Sequence, residues 1–240
     1  AVRQRRCQSF FLLATCFFGV TLLLINRDLG DPLEKTGIIL LTALAGMGIA
    51  YYFRVISTLV LGLLGILSWW GIQGAQWIDG KDIGGYAVFV GSILIVLLYY
   101  ICGYLHEKKS QYADFSFIYV IAGILYITGA LFFFSSQFGL ESISAMTGKL
   151  SAYASRGMIS SLLILFITLV GVTGYAISKR VILFAEGLAV ILLAILFGVI
   201  LFLPRQEFVL ESETLTSTGF FWAIIFNLVV FFEVLGLILS

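Results

Sequence analysis

The chain has 240 residues, of which 61% are hydrophobic and only 11% charged, with a mean hydropathy of +1.10 and a net charge of +1. Soluble domains carry about 25% charged residues, and no water-soluble fold hides this much apolar surface, so lipid must cover much of it. The near-zero net charge argues against nucleic acid as a partner, and the odd set Cys7, Cys16 and Cys102, without motif spacing, argues against a disulfide framework or a zinc site.

The chain opens on Ala1 rather than Met, which points to trimming or to a missing upstream soluble segment. Arg3, Arg5 and Arg6 precede the apolar run 10–26. That order is shared with signal peptides. No small-residue cleavage site follows, however, and Asn26-Arg27-Asp28 reads as the loop after a first span. A transmembrane helix needs about 20 largely apolar residues. On that criterion eight spans are predicted, at 10–26, 37–53, 55–71, 85–105, 115–135, 158–178, 181–203 and 218–239. One helix across 37–71 would be about 52 Å long, against a hydrocarbon core of about 30 Å, so a tight turn is expected near Arg54. Pro32 and Pro204, the only prolines, fall between spans. In the loop 136–156, Leu140, Ile143, Thr147, Leu150 and Ala154 recur at helical spacing with polar residues between them. They predict a short amphipathic helix that lies on the membrane or caps the bundle.

Alternating the loops between two sides separates the charge. One side collects Arg3, Arg5, Arg6, Arg54, Lys108, Lys109, Lys179 and Arg180 against Glu107 and Asp114, net +6; the other collects six basic against nine acidic residues, net −3. Short basic loops face the cytoplasm. Both termini are therefore expected there, in a bacterial inner membrane or its equivalent. Trp69, Trp70, Trp77 and Trp222 fall toward the outer boundary and Tyr51, Tyr52, Tyr99, Tyr100 and Tyr104 toward the inner one, the places where such rings anchor. Gly46, Gly48 and Ala50, then Gly171 and Gly174, offer small faces for helix packing.

The two halves, 1–109 and 110–240, echo each other within one transmembrane domain. Arg54-Val55-Ile56 is answered by Arg180-Val181-Ile182, and Gly85-Tyr86 by Gly219-Phe220. The fold expected is an all-α, polytopic bundle of about eight spans, with a 4+4 parallel repeat and a cleft between the halves. Two acids fall inside apolar runs, Glu186 and Glu233. A carboxylate costs about 2–4 kcal/mol or more to ionise in hydrocarbon. With Tyr99 and Asn227 they form the candidate ligand or ion site, a polar pocket taking a proton or cation. The alternative reading is that each acid reaches the interface or pairs with Arg54, Lys179 or Arg180, and that Asn227 makes an interhelical hydrogen bond. His106 is the single histidine and is placed in a loop beside Glu107, which removes paired-histidine haem and quinone sites. No catalytic set and no cofactor is implied.

The stretch 11–54 combines Phe18-Gly19-Val20 in a first span, a polar loop ending Glu34-Lys35, and a Leu/Ala-rich span closing in aromatics and Arg54. Gly62, Gly65 and a Trp-Gln end continue the pattern. This resembles the uncharacterised bacterial multi-span "predicted membrane protein" families over roughly the first hundred residues. The resemblance implies architecture, not activity. The function expected is non-enzymatic passage of a small solute or ion. A structural or assembly subunit, in contact with other membrane chains as well as lipid, is the alternative.

Overall fold

The computed structural model describes residues 2–78, 85–108, 110–146, 156–201 and 216–239, with side chains for 8–78, 85–108, 111–142, 156–199, 201 and 216–231. All elements among them are helical: α1 (Val2–Asp28), α2 (Lys35–Phe53), α3 (Ile56–Trp77), α4 (Gly85–Glu107), a 3-10 turn (Ser110–Tyr112), α5 (Ala113–Ser135), α6 (Gln137–Met146), α7 (Arg156–Ser178), α8 (Phe184–Ile200) and α9 (Ser217–Leu239). Six of them, α1 to α5 and α7, are long and apolar enough to cross a membrane. α8 is apolar but shorter, at 17 residues, and α9 is apolar over its side-chain-described part, Ser217–Phe231. Phe117, Leu125 and Phe132, spaced seven or eight residues apart on α5, are 65, 68 and 70% exposed, apolar surface that suits a lipid surrounding rather than water.

The chain divides into two compact units, residues 1–73 with 102–119 and residues 74–101 with 120–240. In the first, α1 and α2 form an antiparallel hairpin. Two small-residue pairs set its register. Gly19 lies against Thr42 and Thr15 against Gly46, where an added methyl would come within 2.9 and 3.2 Å of the threonine side chains. Gly62 and Gly65 of α3 approach the backbone of α2 around Ala43 and Met47 in the same way. At Gly48, Gly171 and Gly174, where small packing faces were also expected, no described neighbour lies within 4 Å of an added methyl.

The hairpin tip is held by Asn26. The sequence reading made this residue the start of a loop, but α1 runs on to Asp28. The Asn26 amide is 4% exposed, donates to Asp31 Oδ1 and the Leu33 carbonyl (both 3.0 Å), and accepts from the Leu33 N–H at 2.8 Å. The amide thus makes three of its four possible hydrogen bonds and ties the end of α1 to the chain leading into α2, while the last α1 carbonyls accept from the backbone N–H groups of Leu29, Gly30 and Asp31. Asn26→Ala removes three bonds and leaves a Leu33 amide unpaired, so a loss of about 2–3 kcal/mol is expected. Thermal unfolding in lipid nanodiscs measures it, and an unmoved midpoint would show that the tip closes without this side chain.

The turn expected near Arg54 is present and needs no glycine. Arg54 adopts the left-handed conformation (φ 56°, ψ 48°), and Val55 N–H donates to the Ala50 carbonyl at 3.1 Å, the six-to-one bond of a Schellman motif. Arg180 follows the same plan, with φ 52° and Val181 N–H donating to Ala176 at 2.9 Å. Ala50 and Ala176 are both fully buried. The Arg-Val-Ile echo is thus a shared turn geometry as well as a shared spelling.

In the second unit most side chains of α4 from Tyr86 to Ile101 are buried. Tyr86 and Phe89 of α4, Phe134 of α5, Phe197 of α8 and Phe226 of α9 make one aromatic cluster, with neighbouring ring centroids 4.7 to 6.2 Å apart. Tyr86 Oη donates to the Phe197 carbonyl at 3.2 Å. α7 packs on α8, and α6 packs on α9. Within α6, Leu140 is fully buried while Phe138 is 68% exposed, which fits a segment capping helices. The rest of the predicted amphipathic segment, 147–155, lies outside the described residues. Trp70 and Trp222, expected to anchor at the boundary, are instead packed inside, at 2 and 9% exposure.

Candidate functional site

Glu186 is the third residue of α8. It was expected about 8 Å into a helix starting at 181. The helix begins at Phe184, so the carboxylate sits in the first turn, about 3 Å along the axis. That position favours a negative charge, because the unpaired amides of a helix start carry partial positive charge. The Leu183 N-cap has no side chain that could satisfy them.

Tyr100 of α4 donates its hydroxyl to Glu186 Oε1 at 2.7 Å. This is the short length of an O–H···O⁻ bond. Gly123 of α5 makes the reach possible. A methyl there would lie 2.9 Å from Tyr100 Cβ and 3.3 Å from its Cα, so α5 closes on α4 only because position 123 has no side chain. Gly187, next to the acid, plays the same part toward α7, where Ile177 and Thr173 fill the space a methyl would take. Thr173 is fully buried, and its Oγ1 has no hydrogen-bond partner among the described residues. The arrangement is therefore a carboxylate, a phenol and, one residue along the α7–α8 contact, an unsatisfied hydroxyl. Chemically it can hold a proton or bind a small cation through oxygen. It offers no nucleophile paired with a base.

The sequence reading placed the phenol at Tyr99, and the hydrogen bond to Glu186 described here comes from the next residue, Tyr100. Tyr99 is 7% exposed on α4. Asn227 is exposed on α9. Its amide donates to the Ala223 carbonyl at 2.8 Å and, at 3.5 Å, toward the Ser135 carbonyl of α5, the interhelical role named as its alternative. Glu233 belongs to α9, and its side chain lies outside the described residues.

A second polar cluster was missed altogether. His106 lies inside α4, not in a loop. Its Nε2 is 2.8 Å from Tyr51 Oη, which is 2.9 Å from Tyr119 Oη. The tyrosine at 51 had been read as an interfacial anchor, a role that its neighbour Tyr52, 81% exposed, fits far better. The available signal was the crowding of Tyr51, His106, Tyr112 and Tyr119 at the ends of their spans. A cavity of about 310 Å³ also opens between α4, α7 and α8, lined by Val90, Leu94, Leu162, Phe166, Ala194, Val199 and other apolar residues. Neither Glu186 nor Tyr100 lines it.

Comparison with family models, with curated proteins and with solved structures finds no match to this chain.

Proposed function

We propose that this integral membrane protein passes a small ion or solute, with Glu186 as the group that takes up and releases a proton or cation. The observation that carries the reading is the Tyr100–Glu186 bond of 2.7 Å, formed between helices that are otherwise apolar. The carboxylate stands in the first turn of α8, half-buried, and its described partner is a neutral phenol rather than a cation, which leaves its charge free to engage a proton or cation. The orphan hydroxyl of Thr173, beside Gly187, adds a further oxygen on the adjoining helix. Net charges of +6 and −3 on alternate loops favour eight spans with both termini cytoplasmic. The repeated Arg-Val-Ile turns favour a duplicated bundle.

The test is reconstitution in proteoliposomes with a pH-sensitive dye inside. Glu186→Gln keeps the shape and removes the charge, and flux is expected to fall by about tenfold or more, the effect of ~1.4 kcal/mol on the barrier. Tyr100→Phe is expected to lower flux less, since it removes the donor and keeps the acid. Wild-type flux in both variants would discard the passage reading. The structural or assembly subunit would then stand in its place, recognised by chains that co-purify with the wild-type protein.

A further inference from the structure

The unit formed by 1–73 and 102–119 holds a hydrogen-bonded chain whose direction follows from chemistry. His106 Nδ1 is 2.6 Å from the Cys102 carbonyl oxygen. A carbonyl only accepts, so Nδ1 carries a hydrogen. In neutral imidazole the other nitrogen is then bare and accepts. Tyr51 must therefore donate to His106 Nε2, across 2.8 Å. With its own hydrogen committed, the Tyr51 oxygen accepts from Tyr119 at 2.9 Å. The order runs Tyr119 to Tyr51 to His106 to the Cys102 carbonyl, tying α5, α2 and α4 together. The His106 ring is stacked on that of Tyr119 (centroids 5.2 Å, planes 15° apart), and Tyr51 also meets Phe115 and Tyr112 edge-on at 5.4 Å. The rings leave little freedom to reorient other than by hydroxyl rotation.

We propose that His106 is a proton-binding site whose occupancy reverses this chain. Imidazole is the side chain whose unperturbed charge change falls between about pH 5 and 8. When His106 takes a proton, Nε2 becomes a donor aimed at the Tyr51 oxygen. Nδ1–H still donates to the Cys102 carbonyl. Tyr51 can no longer donate toward His106, so its hydrogen swings to Tyr119 and that bond changes direction. One proton at the end of α4 is thus read out at a buried phenol on α5. The titratable neighbours are Tyr51 from α2, Tyr112 from the 3-10 turn, Tyr119 from α5 and Cys102 from α4 itself, with Glu107 and Lys108 following His106 at the end of the helix. The proposal uses none of the Glu186 site.

The chain has a single histidine, so the nitrogen spectrum of the full protein labelled at histidine in lipid nanodiscs is unambiguous, and a carbon spectrum labelled at the hydroxyl carbons of the eleven tyrosines, assigned with Tyr51→Phe and Tyr119→Phe, reads the phenols. At the alkaline end the Nδ1–H tautomer is expected, the minor form of free imidazole. Acidification should protonate Nε2 and shift two tyrosine signals with the same midpoint. Tyr51→Phe should keep the Nδ1–H tautomer, which the Cys102 carbonyl holds, and lose the linked tyrosine shift, because the relay to Tyr119 is cut. If that variant fails to fold, Tyr119→Phe keeps the Tyr51–His106 bond; it should retain the Nδ1–H tautomer and show only one linked tyrosine shift. An Nε2–H tautomer in the wild type, or a titrating His106 with unmoved tyrosine signals, overturns the proposal.

Discussion

Gly139→Ala is expected to destabilise the protein by about 3 kcal/mol or more, although alanine favours a helix over glycine by about 1 kcal/mol. The reversal of sign comes from the corner between α5 and α6. α5 ends at Ser135, Ser136 bends, and α6 starts at Gln137. Ser136 Oγ donates to the Phe133 carbonyl at 2.5 Å and accepts the Gly139 N–H at 3.1 Å, the N-cap bond of α6. Leu140 N–H closes the first helical bond on the Ser136 carbonyl at 3.1 Å. These bonds draw Gly139 over the last turn of α5 so closely that a methyl group would overlap the Phe133 carbonyl and sit 2.9 Å from Phe134 Cα. Both obstacles are backbone atoms, which cannot swing aside as a long side chain would, so the corner has to open. Gly171→Ala and Gly174→Ala are the matched controls. Neither has a described neighbour within 4 Å of an added methyl on α7, and both should leave the unfolding midpoint unchanged or raise it. A Gly139→Ala protein with the controls' behaviour would mean that the corner is not as tight as described.

Phe134→Ala is expected to cost about 3–5 kcal/mol. Its ring is 2% exposed and lies 4.7 Å from Phe89, 5.9 Å from Phe226, 6.1 Å from Phe197 and 6.2 Å from Tyr86. It therefore touches aromatics from three other helices at once. In lipid there is little hydrophobic drive between helices, and association rests on packing and interhelical hydrogen bonds. A hole at this point removes dispersion contacts from every partner ring and loosens the frame that holds Tyr86 on the Phe197 carbonyl. Phe132→Ala, two residues earlier and 70% exposed, should change stability by no more than about 0.5 kcal/mol. Equal effects from both substitutions would contradict a centre at Phe134.

The membrane-spanning character was legible because charge is excluded so sharply. The span expected at 37–53 is the helix Lys35–Phe53, and that at 158–178 is Arg156–Ser178. The Arg54 turn was legible from length alone, since a straight helix would overrun the hydrocarbon. What periodicity could not supply was rotation about each axis. Tyr99 and Tyr100 differ by about 100° around α4, and only the docking of α8 decides which one meets Glu186. The glycines make the same point. Gly171 and Gly174 have the spacing of a packing face yet meet no described neighbour, while Gly123 and Gly187, which have no glycine partner three or four residues away, hold the close approaches. Asn26 was taken for a loop residue because its type favours turns, and the bonds that let it close α1 instead lie five and seven residues ahead. His106 gave no motif at all, because its partners come from two other helices.

α8 has 17 residues, from Phe184 to Ile200, and so measures about 26 Å against a hydrocarbon core of about 30 Å. As one of the eight proposed spans, it would fall short of the slab around it and draw the neighbouring lipid inward, at a fraction of a kcal/mol for each ångström of mismatch. The acyl chains beside this helix would be shortened or disordered relative to bulk, and water would approach its first turn, where Glu186 sits. A thinner bilayer should then suit the protein better than a thick, sterol-rich one.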